Sequence, residues 1–258
     1  MRLDLFLFNN NYVKSRQKGK DLILSDNVML NGAIVNKPSY EIDEEAENVI
    51  EIFDDCPYVS RGALKLEKLI ERSKATIDKR ICLDIGASTG GFTQVLLNKG
   101  ASKIYAVDSG REQLDASLKS DTRVVSIEGY NARCINIDDI GEEVDIITID
   151  VSFISQTLIL PSAVKILNSC GEVFSLIKPQ FEAGKENIGK GGIVKNTSAR
   201  HFAVNRVISC MRALGYLCDT FIKSPILGGD GNVEYLAHFS KKGNELAEEY
   251  IKNIVFNS

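Results

Sequence analysis

Apolar and polar positions divide the chain into two differently patterned stretches. Leu3, Leu5 and Leu7 predict a first helix that ends at the polar run 9–11. A second helix is predicted over 18–24, with Leu22, Ile23 and Leu24 as its buried end. Residues 27–36 read as strand, turn and strand around Asn31-Gly32, because an Asn-Gly pair between apolar segments is a strong hairpin signal. A further short strand is predicted over 47–53. From Ser60, a plausible N-cap, helical spacing runs through Ala63, Leu66, Leu69 and Ile70, with Lys65, Lys68 and Arg72 on the other side. Apolar strands then alternate with helices. Strands are predicted at 81–85, 103–107, 124–127, 145–149 and 173–177, and helices near 91–99, 113–118, 137–140 and 158–166. A helix over 199–214 and strands over 217–223 and 233–239 complete the series. The alternation predicts an α/β fold, a doubly wound Rossmann-like parallel sheet with a terminal antiparallel strand, preceded by a small α+β module.

The expected domains are 1–56, a linking helix at 57–78, a main domain at 79–242 and a tail at 243–258. The chain's 258 residues suit one medium domain with a small companion. Composition excludes collagen-like, disordered and disulfide-scaffold proteins. No apolar run reaches the roughly 18 residues of a spanning helix, and the most apolar stretch, 145–154, is broken by Asp150. The N-terminus, with Asp4 and three asparagines, is a poor secretory signal. A cytoplasmic protein is therefore expected. Six cysteines, Cys56 among them, lie scattered without a C-x-x-C pair and read as reduced thiols. Two histidines make a histidine-based triad or a multi-histidine metal site improbable, and no metal is expected. The net charge of −4 argues against a nucleic-acid partner until it is resolved by region. Residues 1–40 carry six basic and three acidic side chains, 41–55 carry eight acidic and no basic ones, and 56–80 carry seven basic and three acidic. An acidic edge masks two basic blocks.

The strand at 81–85 runs into Gly86-Ala-Ser-Thr-Gly-Gly91, a turn that lets a ligand lie against backbone at the sheet's carboxyl edge. The next strand ends at Asp108, placed to meet two ribose hydroxyls. Asp84, Gly86, Ser88, Gly90, Gly91, Phe92 and Asp108, with Asn131 after the third strand, are the candidate cofactor residues. Together they resemble the S-adenosylmethionine site of class I methyltransferases. A nicotinamide dinucleotide is the competing reading. The D-x-G-x-x-x-G-G spacing, which lacks the G-x-G-x-x-G fingerprint, favours the methyl donor.

Four charged residues are the candidate catalytic set. Asp150 and Lys178 follow neighbouring strands, Lys65 sits on the helix before the sheet, and Glu234 begins the last strand. The set resembles the Lys-Asp-Lys-Glu tetrad of FtsJ-like RNA 2'-O-methyltransferases. The segments YVSRGALKL, LDIGASTGGFT, NAR, DVSFIS, KPQFEAGK, KGGIV and GNVEY make the chain resemble the TlyA family of haemolysins and ribosomal RNA methyltransferases. Residues Arg2-Leu-Asp, Ser15-Arg16, Leu22-Ile23, the Val28 to Gly32 stretch and Lys37-Pro38-Ser39 resemble the alpha-L RNA-binding module, with Asp26 where that module usually has glycine.

The resemblance implies methyl transfer from S-adenosylmethionine to a cytidine ribose in ribosomal RNA. An ordinary lysine is mostly protonated at neutral pH. On this reading desolvation, Lys65 and the sulfonium lower the pKa of Lys178 so that it handles the hydroxyl proton, while Asp150 and Glu234 orient both lysines. Lys14, Arg16, Lys18, Lys20, Arg61, Lys185 and Lys190 are the expected RNA contacts, the last two on a glycine-rich basic lid at 184–192. The partner is ribosomal RNA or a ribosomal subunit, not a membrane, and a monomer is favoured. A membrane-active haemolysin and a non-catalytic RNA-binding protein on a methyltransferase fold are the alternatives.

Overall fold

The computed structural model describes residues 1–24, 27–44, 46–52, 57–228 and 231–258. Asp26 and Cys56 lie outside the described residues. The chain divides into two compact units, Met1–Arg61 and Gly62–Ser258.

In the first unit, helices α1 (Leu3–Asn9) and α2 (Arg16–Leu24) accompany a sheet of β1 (Val28–Leu30), β2 (Ala33–Ile34) and β3 (Ile50–Ile52), ordered β2-β1-β3 and antiparallel. Its core is built on Leu3, Leu7, Leu22, Ile23 and Val28, each almost without exposed surface. The Asn31-Gly32 turn has both residues at positive φ, 51° and 79°, the conformation a two-residue hairpin favours. Helix α2 starts two residues earlier than its apolar pattern predicts, because Ser15 Oγ accepts from the Lys18 N–H and supplies the cap. Asp4 is fully buried and its carboxylate accepts from both Arg2 and Arg16.

The second unit runs α3 (Ala63–Ser73), β4 (Ile81–Ile85), α4 (Gly91–Asn98), β5 (Lys103–Asp108), α5 (Ala116–Lys119), β6 (Val124–Glu128), α6 (Ile137–Ile140), β7 (Val144–Ile149), α7 (Leu160–Ala163), β8 (Leu167–Ile177), α8 (Pro179–Glu182), α9 (Thr197–Ala213), β9 (Leu217–Lys223), β10 (Tyr235–Ser240) and α10 (Glu248–Phe256). The seven-stranded sheet has the order β6-β5-β4-β7-β8-β10-β9. Strands β4 to β8 are parallel, and β10 is antiparallel to both of its neighbours, so the last strand of the chain is the last but one across the sheet. Apolar residues of the strands, of α9 and of α10 form one continuous core.

Three boundaries depart from the pattern. Helix α3 is capped by Gly62, without a side-chain bond, and not by Ser60. Strand β8 begins six residues before the predicted 173, since its first half carries exposed Ser169 and Cys170 and so reads as polar. Glu234 lies just ahead of β10 instead of starting it.

Candidate active site

Parallel topology carries the ends of β4, β5, β7 and β8 to one edge of the sheet. At the end of β4 the chain turns through Gly86, at φ 85°, where a Cβ would come within 2.1 Å of the Asp150 carbonyl oxygen. The Asp150 N–H in turn donates to the Ile85 carbonyl. Glycine at 86 is therefore what lets the glycine turn and Asp150 lie backbone to backbone. Gly90, at φ 97°, opens α4, and a Cβ there would strike Leu118 and Leu114. Gly91 and Phe92 are buried in the first turn of that helix.

The carboxylate of Asp84, at the heart of the motif, is fully buried and is taken by the Thr93 and Thr148 hydroxyls, both at 2.7 Å. Burial pushes its pKa up to about 6. Asp108 is half-buried at the end of β5. It accepts from the backbone N–H groups of Ser88 and Gly110 at 2.8 and 2.7 Å. Each oxygen of a carboxylate has capacity for a second donor. A cavity of about 10 Å³, room for a single water, is bordered by Ala87, Ser88, Asp108, Gly110, Gln113 and Glu128. Bare turn backbone, a helix start without a side-chain cap and a half-exposed carboxylate suit a cofactor bearing ribose hydroxyls. Asn131 is exposed and caps a short helical turn by accepting from the Arg133 N–H.

The four charged residues come together as two ion pairs. Lys65 Nζ lies 2.6 Å from Glu234 Oε2, both residues buried. Lys178 Nζ lies 2.5 Å from Asp150 Oδ1 and donates to Ser152 Oγ at 3.0 Å. Glu234 also acts electrostatically on Lys178, so its carboxylate serves both lysines. The expected direction for Lys178 is reversed. Burial lowers its pKa, but the carboxylates of Asp150 and Glu234 outweigh that and hold the ammonium above the ordinary lysine value.

The surroundings add residues that the sequence did not single out. Phe153 has a left-handed backbone, φ 64°, and a ring that is 93% exposed yet rests against Phe181, centroids 5.3 Å apart. A non-glycine residue at positive φ is uncommon, and here it turns an apolar ring outward. Glu182 and Asn232 are buried polar residues beside the tetrad segments. Exposure and partner choice at these positions depend on the fold, and no local pattern announces them.

The basic residues are distributed unevenly. Lys14, Arg16, Lys185 and Lys190 are exposed, and Lys18, Lys20 and Arg61 are partly so. The segment carrying Lys185 and Lys190 is anchored at its far end, at Gly192 and Val194. Asn232 accepts from the Val194 N–H and donates to the Gly192 carbonyl, and Ile188 and Val194 pack with Ala183, Ala199 and Ala203.

A parallel sheet of this order, with a glycine turn after its first strand and a carboxylate ending the second, defines a class I methyltransferase. Residues 58–241 match the FtsJ-like methyltransferase family, and the chain belongs to it; residues 1–48 match the S4 domain. Hemolysin A of Brachyspira hyodysenteriae is 44% identical over 93% of this chain and 99% of its own length. The 16S/23S rRNA (cytidine-2'-O)-methyltransferase TlyA of Mycobacterium tuberculosis is 38% identical over 91% of this chain and 87% of its own. The solved structure of a candidate hemolysin from Streptococcus thermophilus superposes with a TM-score of 0.79 at 38% identity, over 100% of this chain and 94% of that one.

Proposed function

We propose that this methyltransferase acts on the ribose 2'-hydroxyl of cytidine in ribosomal RNA, with Lys65, Asp150, Lys178 and Glu234 as its catalytic residues. The observation that carries the reading is the convergence of two lysine–carboxylate pairs, drawn from four separate elements, beside a cofactor-shaped sheet edge. The substrate class rests on the M. tuberculosis relative's name and on the S4 domain. S-adenosylmethionine, when bound, would supply an electrophilic methyl group: the hydroxyl oxygen would bond to its carbon as the carbon–sulfur bond breaks, and S-adenosylhomocysteine would leave.

On this reading Asp108 holds the cofactor's ribose hydroxyls, while Gly86, Ser88, Gly90 and Gly91 offer it bare backbone. Asp84 and Phe92 serve by fixing that turn from beneath, and Asn131 flanks the adenine end. Lys65, held by Glu234, hydrogen-bonds the reacting oxygen. The hydroxyl proton passes to the neutral form of Lys178, a minor species at neutral pH because of its two carboxylate neighbours. An added positive charge entering the site would pull Lys178 downward. Phe153 offers a stacking face to the base of a nucleotide turned out of its helix. Lys14, Arg16, Lys18, Lys20, Arg61, Lys185 and Lys190 are the proposed phosphate contacts.

The test is methyl transfer from labelled donor into ribosomal RNA. Wild type should label the RNA, and Lys178→Ala should lose on the order of 10³ in rate. Because the base must be neutral, transfer should rise as pH is raised above neutrality, and the Lys178→Ala residual rate should lose that rise. A pH profile of the same shape in wild type and Lys178→Ala would reject Lys178 as the base. The hemolysin reading draws on the names of similar proteins. Among the described residues no helix is long and apolar enough to cross a membrane. Lysis by wild type and Lys178→Ala alike, with no label in RNA from either, would favour that reading.

A further inference from the structure

Glu182 is a buried carboxylate that the proposed chemistry does not use. It is 1% exposed and closes α8, four residues after Lys178. Its oxygens accept from Ser155 Oγ at 2.5 Å and from the Gln156 N–H at 2.8 Å. Both donors belong to the loop after β7, which carries Asp150, Ser152 and Phe153. Gln156 extends the connection: its amide donates to the Leu176 carbonyl at 2.9 Å and accepts from Ser175 Oγ at 2.6 Å, both on β8. Arg206 of α9 donates to the Glu182 carbonyl, fixing α8 from its other side.

These bonds tie together the two segments that hold one of the catalytic ion pairs. Between the strand ends and the Glu182 anchor lie the contacts of Lys178 with Asp150 and Ser152, and that of Phe153 with Phe181. A carboxylate sealed from water is costly unless its acceptor capacity is used, and here it is used on the loop. Burial raises the pKa of Glu182, the direction expected for a group held by neutral donors.

We infer that Glu182 is a positioning residue, which locks the loop bearing Asp150 and Phe153 in register with the segment bearing Lys178 and so sets the geometry of the reacting site. It touches no substrate. The inference rests on the proposed RNA methyl transfer only for its kinetic readout.

The test compares wild type with Glu182→Gln, Glu182→Ala and Ser155→Ala. Glutamine keeps the shape and one acceptor, and the Ser155 hydroxyl can turn to accept from its amide, so Glu182→Gln should stay within about threefold of wild type. Glu182→Ala should lower kcat by roughly 10²-fold, the scale set by a misplaced catalytic group, and Ser155→Ala by about tenfold. S-adenosylmethionine affinity, read by calorimetry, should hold in all three, because the anchor bonds neither Asp108 nor the glycine turn. Hydrogen exchange on the full chain without substrate should show protection lost at 151–158 and kept in β4 and β5. Unchanged protection at 151–158, or a rise in KM with kcat intact, would overturn the inference. Should Glu182→Ala fail to fold, Ser155→Ala decides by the same two measurements. If wild type transfers no methyl group to RNA, the proposed function fails, and hydrogen exchange still decides the coupling.

Discussion

Asp4 in the first unit and Asp84 in the second are both aspartates with no exposed surface, and they behave in opposite ways. Asp4 accepts from two guanidinium groups, Arg2 and Arg16, that remain nearly half exposed at 43% and 44%. Burial raises the pKa of Asp4, but those cations overcome the effect and hold it below the ordinary value. Asp84 accepts from two threonine hydroxyls, which stabilise the ionised form too little to offset burial. Two aspartates equally closed to solvent are thus a fixed anion in one unit, where Asp4 lies shallow beneath half-exposed guanidiniums, and a titrating group in the other, where Asp84 lies deep. Depth sets the cost of the charge, and the partner decides whether the cost is met. The tetrad follows the first pattern, since each buried lysine has a carboxylate.

The contrast can be broken from either side. Asp4→Ala leaves two half-exposed arginines without their shared acceptor and should destabilise the first unit by roughly 2 kcal/mol, as read by urea denaturation. A loss below about 1 kcal/mol would mean that the guanidiniums are equally well served by water. Asp84 gives a pH signature instead. Its folded pKa of about 6 lies above the ordinary aspartate value of 3.8, so ionisation across that window weighs against the folded state, and its contribution falls as pH rises from 4 to 6. Asp84→Asn should remove that fall, a difference on the order of 2 kcal/mol between the ends of the window. Asp4 has the opposite sign: its stabilisation is present above about 3.8 and is lost as pH drops through its lower folded value. The smallest effect should come from Thr148→Val, which removes one hydroxyl donor at constant shape. It should cost about 1 kcal/mol and raise the Asp84 pKa further, measurable by titration of its carboxyl carbon resonance.

Much of the fold is legible in the sequence because a parallel sheet buries whole strands. The apolar runs at β4 and β7 stand out against polar connections, and the Asn31-Gly32 turn announces its hairpin. The first half of β8 is not legible, since Ser169 and Cys170 are exposed there and carry no apolar signal. The four residues proposed as catalytic are equally legible, three in motifs beside strand ends and Lys65 on helix α3. Their pairing is not. That Glu234 pairs with Lys65, and that the charges of Asp150 and Glu234 raise Lys178, depends on where the fold sets the four side chains. Glu182 shows the limit most plainly. In KPQFEAGK it looks like any surface glutamate, and only the approach of Ser155 and Gln156 makes it an anchor.

The pair between Lys65 and Glu234 joins positions 169 residues apart. It forms only once β10 has slotted between β8 and β9, a pairing that brings Tyr235 opposite Ile177. Contacts between such distant parts of a chain form late and slowly. On the proposed mechanism, catalytic competence therefore reports on the final stage of assembly. During synthesis, a chain whose earlier strands have already condensed around the cofactor edge would, on that mechanism, stay chemically silent until its last strand had emerged and docked.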